Sequence, residues 1–189
     1  MHKKITVFVI LMVFALGSVM AYSSMTTVSL DYGAVGTIQD FDKEPTNFIG
    51  FQFGVYTYSD ECSPDGFYSQ ASFQTLVTDD SNDLFTKDLV NIVFGYTRRI
   101  DLGGMFDLMV GGGPSYQKSE LENAGGQIID KASMIGLAAT AEANFLLSPR
   151  MTINWGGTTH VGIYDVKGRK LITKNPVTAR TYMGVGFTF

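Results

Sequence analysis

From Thr27 onward, apolar and polar residues trade places at every second position, and the alternation restarts after each polar interruption. Val28, Leu30 and Tyr32 alternate with Thr27, Ser29, Asp31 and Gly33, and Ile49, Phe51, Phe53 and Val55 with Gly50, Gln52, Gly54 and Tyr56. Phe67, Ala71, Phe73 and Val77 oppose Tyr68, Gln70, Ser72 and Gln74, and Val90, Ile92, Phe94 and Tyr96 oppose Asn91, Val93, Gly95 and Thr97. Phe106, Leu108 and Val110 face away from Asp107, Met109, Gly111 and Gly113, and Met151, Ile153 and Trp155 from Thr152, Asn154 and Gly156. In residues 132–147, Ile135, Leu137, Ala139, Ala141, Ala143 and Phe145 share one face, and Gly136, Ala138, Thr140, Glu142 and Asn144 the other. The last run puts Met183, Val185, Phe187 and Phe189 against Arg180, Tyr182, Gly184 and Gly186. Alternate side chains of a strand point to opposite faces, so this period predicts eight strands, each greasy on one side. Alanine in 132–147 also suits a helix, but the strict alternation favours a strand there.

The predicted connections fall at 37–47, 59–66, 78–87, 98–104, 117–131, 148–150 and 164–176. Longer stretches tend to alternate with short ones, least clearly between the second and third. A soluble β-sandwich has no such end-to-end difference. Long loops at one end and short turns at the other is the organisation of an outer-membrane barrel, whose short turns face the periplasm. Near the short-turn end the apolar face carries Phe67, Tyr96, Phe106 and Phe145, with Phe187 and Phe189. This is the placing of a periplasmic aromatic girdle.

The N-terminus supplies the route out of the cytoplasm. Lys3 and Lys4 precede an apolar run at 5–16, and Val19-Met20-Ala21 ends it with a cleavable pattern before Tyr22. Residues 1–21 therefore read as a secretory signal peptide cleaved after Ala21, leaving one domain at 22–189. The run is too short for a comfortable transmembrane helix. Setting the two leader lysines aside leaves twelve basic residues against 18 acidic ones, the wrong sign for a nucleic-acid-binding face. Charged residues are only 17% and aromatics 13%, with 21 glycines, which excludes a disordered tail or coiled coil. Cys62 is the single cysteine, so no intrachain disulfide braces the exported chain, and with one histidine beyond the leader there is no metal-ligand spacing.

The terminal segment 181–189, Thr-Tyr-Met-Gly-Val-Gly-Phe-Thr-Phe, resembles the last strand of the small outer-membrane β-barrels of the OmpA, OmpX and OmpW kind. Residues 93–99 (Val-Phe-Gly-Tyr-Thr-Arg-Arg), a turn, and 109–113 (Met-Val-Gly-Gly-Gly) are similar to the strand-turn-strand centre of that group. The layout of the whole chain after the leader matches as well. The resemblance implies an all-β, eight-stranded, antiparallel up-and-down transmembrane barrel, without cofactor. It also implies that Met183, Val185, Phe187 and Phe189 are the signal read by the barrel-assembly machinery. Expected partners are outer-membrane lipids, that machinery, and host or surface ligands met through the loops, with the chain a monomer.

At eight strands the interior is about wide enough for side chains to fill. The inward set is polar: Asp31, Gln52, Tyr56, Gln70, Asn91, Asp107, Glu142, Asn144, Asn154, Arg180 and Tyr182, with many glycines. Arg180 is the clear mid-barrel cation, expected to pair with Asp31 on the neighbouring first strand and to be within reach of Glu142, with Asp107 as a further carboxylate. Two uses of this interior stay open: a charge network that only holds the lumen together, or a narrow path for small or apolar solutes through space left by the glycines. An enzyme is disfavoured. His160 has Thr158 and Gly162 as its same-face neighbours, not the serine of the lipid A deacylase motif, so it reads as a solvated or hydrogen-bonded histidine. A soluble lipocalin-like binder would also have eight strands, but apolar inside. The loops differ in charge: Asp79, Asp80 and Asp83 in one, Lys167, Arg169, Lys170 and Lys174 in another. Either they pair with each other, or the basic loop meets lipid headgroups or a host polyanion.

Overall fold

The structure, a computed structural model, describes residues 23–37, 46–60, 63–76, 84–123, 128–168, 170–171 and 176–189. The leader, Cys62, the acidic positions Asp79, Asp80 and Asp83, and the loop residues Arg169 and Lys174 lie outside the described residues. Nine strands follow one another: β1 (Ser23–Thr37), β2 (Thr46–Tyr58), β3 (Asp65–Leu76), β4 (Leu84–Asp101), β5 (Phe106–Asn123), β6 (Ile128–Ser148), β7 (Met151–Asp165), β8 (Lys170–Leu171) and β9 (Pro176–Thr188). All pairings are antiparallel, and no helix occurs among the described residues.

Eight of these strands close on themselves. Each of β1 to β6 pairs with the next, β6 pairs with β7, β7 with β9, and β9 returns to β1. The two-residue β8 only adds an arm to the end of β7, through Tyr164 opposite Leu171. The chain is an eight-stranded, up-and-down, antiparallel β-barrel, as the alternation predicts.

The two faces are sorted by polarity in the sense opposite to a soluble barrel. Leu30, Phe51, Phe67, Leu137, Trp155 and Met183 all point outward and are more than half exposed, while Gln52, Gln70, Asn91, Glu142 and Asn154 are sealed inside. A wall of exposed large apolar side chains around a polar interior is stable only in hydrocarbon, because burial of apolar surface drives folding in water. Closure satisfies every strand edge of the barrel, which a spanning sheet requires.

The walls are uneven in height. A strand crosses a bilayer in about 9–11 residues; β2, β3 and β9 have 13, 12 and 13, but β4, β5 and β6 have 18, 18 and 21. The loop expected at 117–131 is therefore mostly strand: Lys118 pairs with Ser133 and Glu120 with Lys131. Gln117 and Ser119 still face inward and are buried, but both faces of this stretch carry polar residues, so the period-two hydrophobic signal fades while the backbone ladder continues. The fully described turns at the opposite end, at 102–105 and 149–150, are tight. Between β4 and β5, Gly103 and Gly104 adopt φ of 88° and 70°, values that disfavour any Cβ, and the Gly103 N–H donates to Asp101 Oδ1 at 2.7 Å.

Candidate functional site: the polar lumen

Inward parity brings the polar side chains together in layers. Midway up, Gln70 on β3 joins four other strands. Its amide nitrogen donates to the hydroxyls of Tyr56 (2.9 Å) and Tyr182 (3.1 Å), and its carbonyl accepts from Thr158 (3.1 Å) and Thr140 (3.4 Å). Tyr56 donates in turn to Glu142 Oε2 at 2.8 Å, and Tyr68 to Thr140 at 3.3 Å. The rings of Tyr56 and Tyr68 stack 5.9 Å apart at 14°. Networks of this kind reach from wall to wall and hold their members in one arrangement.

The lumenal glycines do not leave a path here. A Cβ on Gly156 would stand 2.6 Å from the Tyr182 ring and hydroxyl, and one on Gly95 or Gly111 would stand 2.7 or 2.9 Å from the Tyr68 ring. Each tyrosine thus reaches into space that a glycine leaves free of a side chain. Beside these three glycines the space that the sequence presents as open is filled by rings from other strands.

Arg180 and Asp31 sit beside this layer. Register sets Asp31 opposite Tyr182, so Arg180 is its diagonal neighbour across the β1–β9 seam. Arg180 Nη1 donates to Asp31 Oδ2 at 3.1 Å, and both side chains are enclosed, at 2% and 0% exposure. Glu142 is two residues lower than Arg180, level with Gly156 and Tyr182, and Tyr56 holds its carboxylate. Asp107 is not brought to Arg180 at all. It pairs with Asn144, four residues along β6 from Thr140, roughly 13 Å by strand rise, while Arg180 stands at the Thr158–Thr140 level. Parity assigns a face but not a height, which is why the expected four-member charge cluster divides.

Towards the short-turn end, Asp107 shares an open recess of about 500 Å3 with Arg99, Asn144, Met25, Met109 and Phe189. Arg99 lies over the Tyr58 ring at 5.0 Å. One or two pleats from the Gln70 layer toward the long-loop side, Gln52, Gln74, Asn91 and His160 are buried, and their side-chain polar atoms have no protein partner among the described residues. That composition suits a hydrated compartment. His160 faces Ala138 and Thr178 across its neighbouring strands, so with Thr158 and Gly162 none of its four flanking inward positions is serine. No cluster of metal-ligating side chains occurs among the described residues.

On the outside, Phe67 pairs with Tyr96 and Phe106 with Phe145, the latter rings 4.9 Å apart, all at the short-turn end. Met183 and Phe187 are exposed on the outer wall and Val185 is half-buried there, while Phe189, just past the end of β9, is exposed and borders the short-turn recess. The roles of Gln70, Tyr68, Thr140 and Thr158 are not evident from the sequence; the available signal was inward tyrosine on one strand facing inward glycine on another.

The fold has solved counterparts. Neisserial surface protein A superposes with a TM-score of 0.68 over 88% of this chain and 97% of its own, at 12% identity. The fold is that of the small outer-membrane β-barrels. Ail, the attachment invasion locus protein of Yersinia pestis, matches with a TM-score of 0.62 over 90% of this chain and all of its own, at 16% identity. OprG, an outer-membrane protein of Pseudomonas aeruginosa, gives 0.55 over 90% and 97%, at 11% identity. No family model matches the sequence, and no curated protein is similar to it.

Proposed function

We propose that this chain is an integral outer-membrane protein with a plugged lumen, serving a structural and surface-interaction role through the connections at its long-loop end. The observation that carries this reading is the Gln70 layer, which ties β3 to β2, β6, β7 and β9 across the interior. In the same reading residues 1–21 are removed after Ala21. Met183, Val185, Phe187 and Phe189 present the outward face that the assembly machinery reads, and Phe67, Tyr96, Phe106 and Phe145 form the periplasmic girdle. The barrel acts as a monomer and catalyses no reaction; the closed sheet, with no unpaired barrel edge, supports the first point.

The surface role is directed at polyanions. Lys167, Arg169, Lys170 and Lys174 fall within one connection, and Ail has been crystallised with the heparin analogue sucrose octasulfate on the same fold. Two measurements test the proposal. Purified protein in planar bilayers should conduct at background, and discrete single-channel steps would replace the plugged reading with a narrow channel. Unboiled protein should migrate differently from boiled protein on SDS gels and should bind immobilised heparin in a salt-sensitive way. Replacement of the four basic residues by glutamine should abolish that binding, and unchanged retention would remove the polyanion role.

A further inference from the structure

The outer wall carries a groove that the barrel itself does not need. It runs across β2 to β5, has a volume of about 580 Å3, and is walled by Val55, Phe67, Phe94, Tyr96 and Pro114. Its floor is Ser69 and Gly112. Gly112 occupies the girdle row directly beside Tyr96, and a Cβ there would meet nothing closer than the Ala138 carbonyl at 3.1 Å. A row otherwise filled by Phe67 and Tyr96 is therefore interrupted by a position with no side chain.

One pleat beyond that row, on the same outer face, Asp65 pairs with Arg98 across β3 and β4. Their charged atoms approach only to 3.7 Å, and both side chains are about half exposed, at 45% and 59%. The Tyr96 hydroxyl donates to Asp65 and fixes the carboxylate beside the groove mouth. The arrangement is an apolar trough ending at one cation and one anion set side by side.

We propose that this groove is a binding site for a zwitterionic aminophospholipid of the periplasmic leaflet. The inference rests on the outer-membrane reading and on its orientation. One acyl chain lies in the trough over Ser69 and Gly112, the phosphate meets Arg98, and the primary ammonium donates hydrogen bonds to Asp65. An acyl chain is the occupant because the trough opens into the hydrocarbon band, and the two opposite charges match a headgroup that carries both signs. A phosphoglycerol headgroup meets Arg98 but offers Asp65 only neutral hydroxyls in place of a cation. A phosphocholine headgroup reaches both charges but has no N–H to give Asp65.

The test is native mass spectrometry of the full barrel released from nanodiscs containing equal parts phosphatidylethanolamine, phosphatidylglycerol and phosphatidylcholine. Phosphatidylethanolamine should be retained about twofold to fivefold over the other two, the range an exposed charge pair supports. Asp65→Asn should erase that preference, Arg98→Gln should lower retention of all three, and Gly112→Leu should do so without altering their ratio. Equal retention of the three lipids by the native barrel would overturn the proposal, as would a lipid-free species of twice the chain mass, which would make the groove a contact between copies. Heat-modifiable migration of the same sample separates the two levels. A folded, nanodisc-inserted barrel without lipid preference refutes only the site, whereas protein that never enters nanodiscs refutes the membrane reading beneath it.

Discussion

Replacing Arg180 by methionine removes the cation from a pair that the barrel encloses almost completely. Asp31 is left at 0% side-chain exposure with its 3.1 Å partner gone, and methionine fills much of the vacated length without donating a hydrogen bond. Breaking a buried pair from one side typically costs about 3–5 kcal/mol, equivalent to between about a hundredfold and several thousandfold in the unfolding constant. Adding Asp31→Asn should recover part of that loss, with a coupling in the upper part of the roughly 0.5–3 kcal/mol range seen for residues in contact. Glu142→Gln should behave differently. Its carboxylate is held by Tyr56 at 2.8 Å rather than by Arg180, so its effect should add to that of Arg180→Met within about 0.5 kcal/mol. Urea unfolding of protein refolded into vesicles reads both cycles through Trp155. It is the single tryptophan of the chain and stands on the outer wall at 63% exposure. A cost below about 1 kcal/mol for Arg180→Met, the level of an exposed pair, would refute the reasoning. So would additivity with Asp31→Asn.

Three further outcomes follow from the same geometry. Deleting Phe189 should cut insertion in cells far more than it lowers the melting temperature of refolded protein, because losing one apolar side chain costs at most about 1.5–3 kcal/mol; normal insertion in cells contradicts its role as an assembly signal. Gly95→Ala places a methyl 2.3 Å from the Gly112 carbonyl oxygen and 2.7 Å from the Tyr68 ring. It should destabilise by about 1–3 kcal/mol, as overpacking does, and a neutral effect in urea unfolding would count against the ring-over-glycine packing. Tyr68→Ala combined with Tyr182→Ala removes the rings beside Gly95, Gly111 and Gly156 and should raise conductance in planar bilayers above the background expected of the native barrel; a silent double variant would count against these rings as the plug.

Which face each residue takes was readable from the chain, because a strand has a period of two and the hydrocarbon tolerates no error in it. Arg180 inside and Met183 outside follow from counting alone. Height was not readable. Asp107 and Arg180 both point inward, yet the stagger between strands sets them on different levels, and stagger depends on pairings that no single segment encodes. Lys118 to Glu122 read as loop because their polarity no longer alternates, although the ladder with β6 continues through them. The inward glycines misled in the same way. Gly156 alone signals room, and only the β7–β9 register reveals that Tyr182 occupies it.

The seam between β1 and β9 also makes one contact conditional on the whole chain. Asp31 and Arg180 are separated by 149 positions, and no shorter stretch of chain can bring them together. β9 pairs with both β1 and β7, so the strand that closes the sheet is also the one that brings Arg180 to Asp31. A chain halted before Pro176 therefore lacks both the closing strand and the cation for Asp31. The pair works as a proof of completeness: the cylinder shuts when its last strand has arrived, and not before.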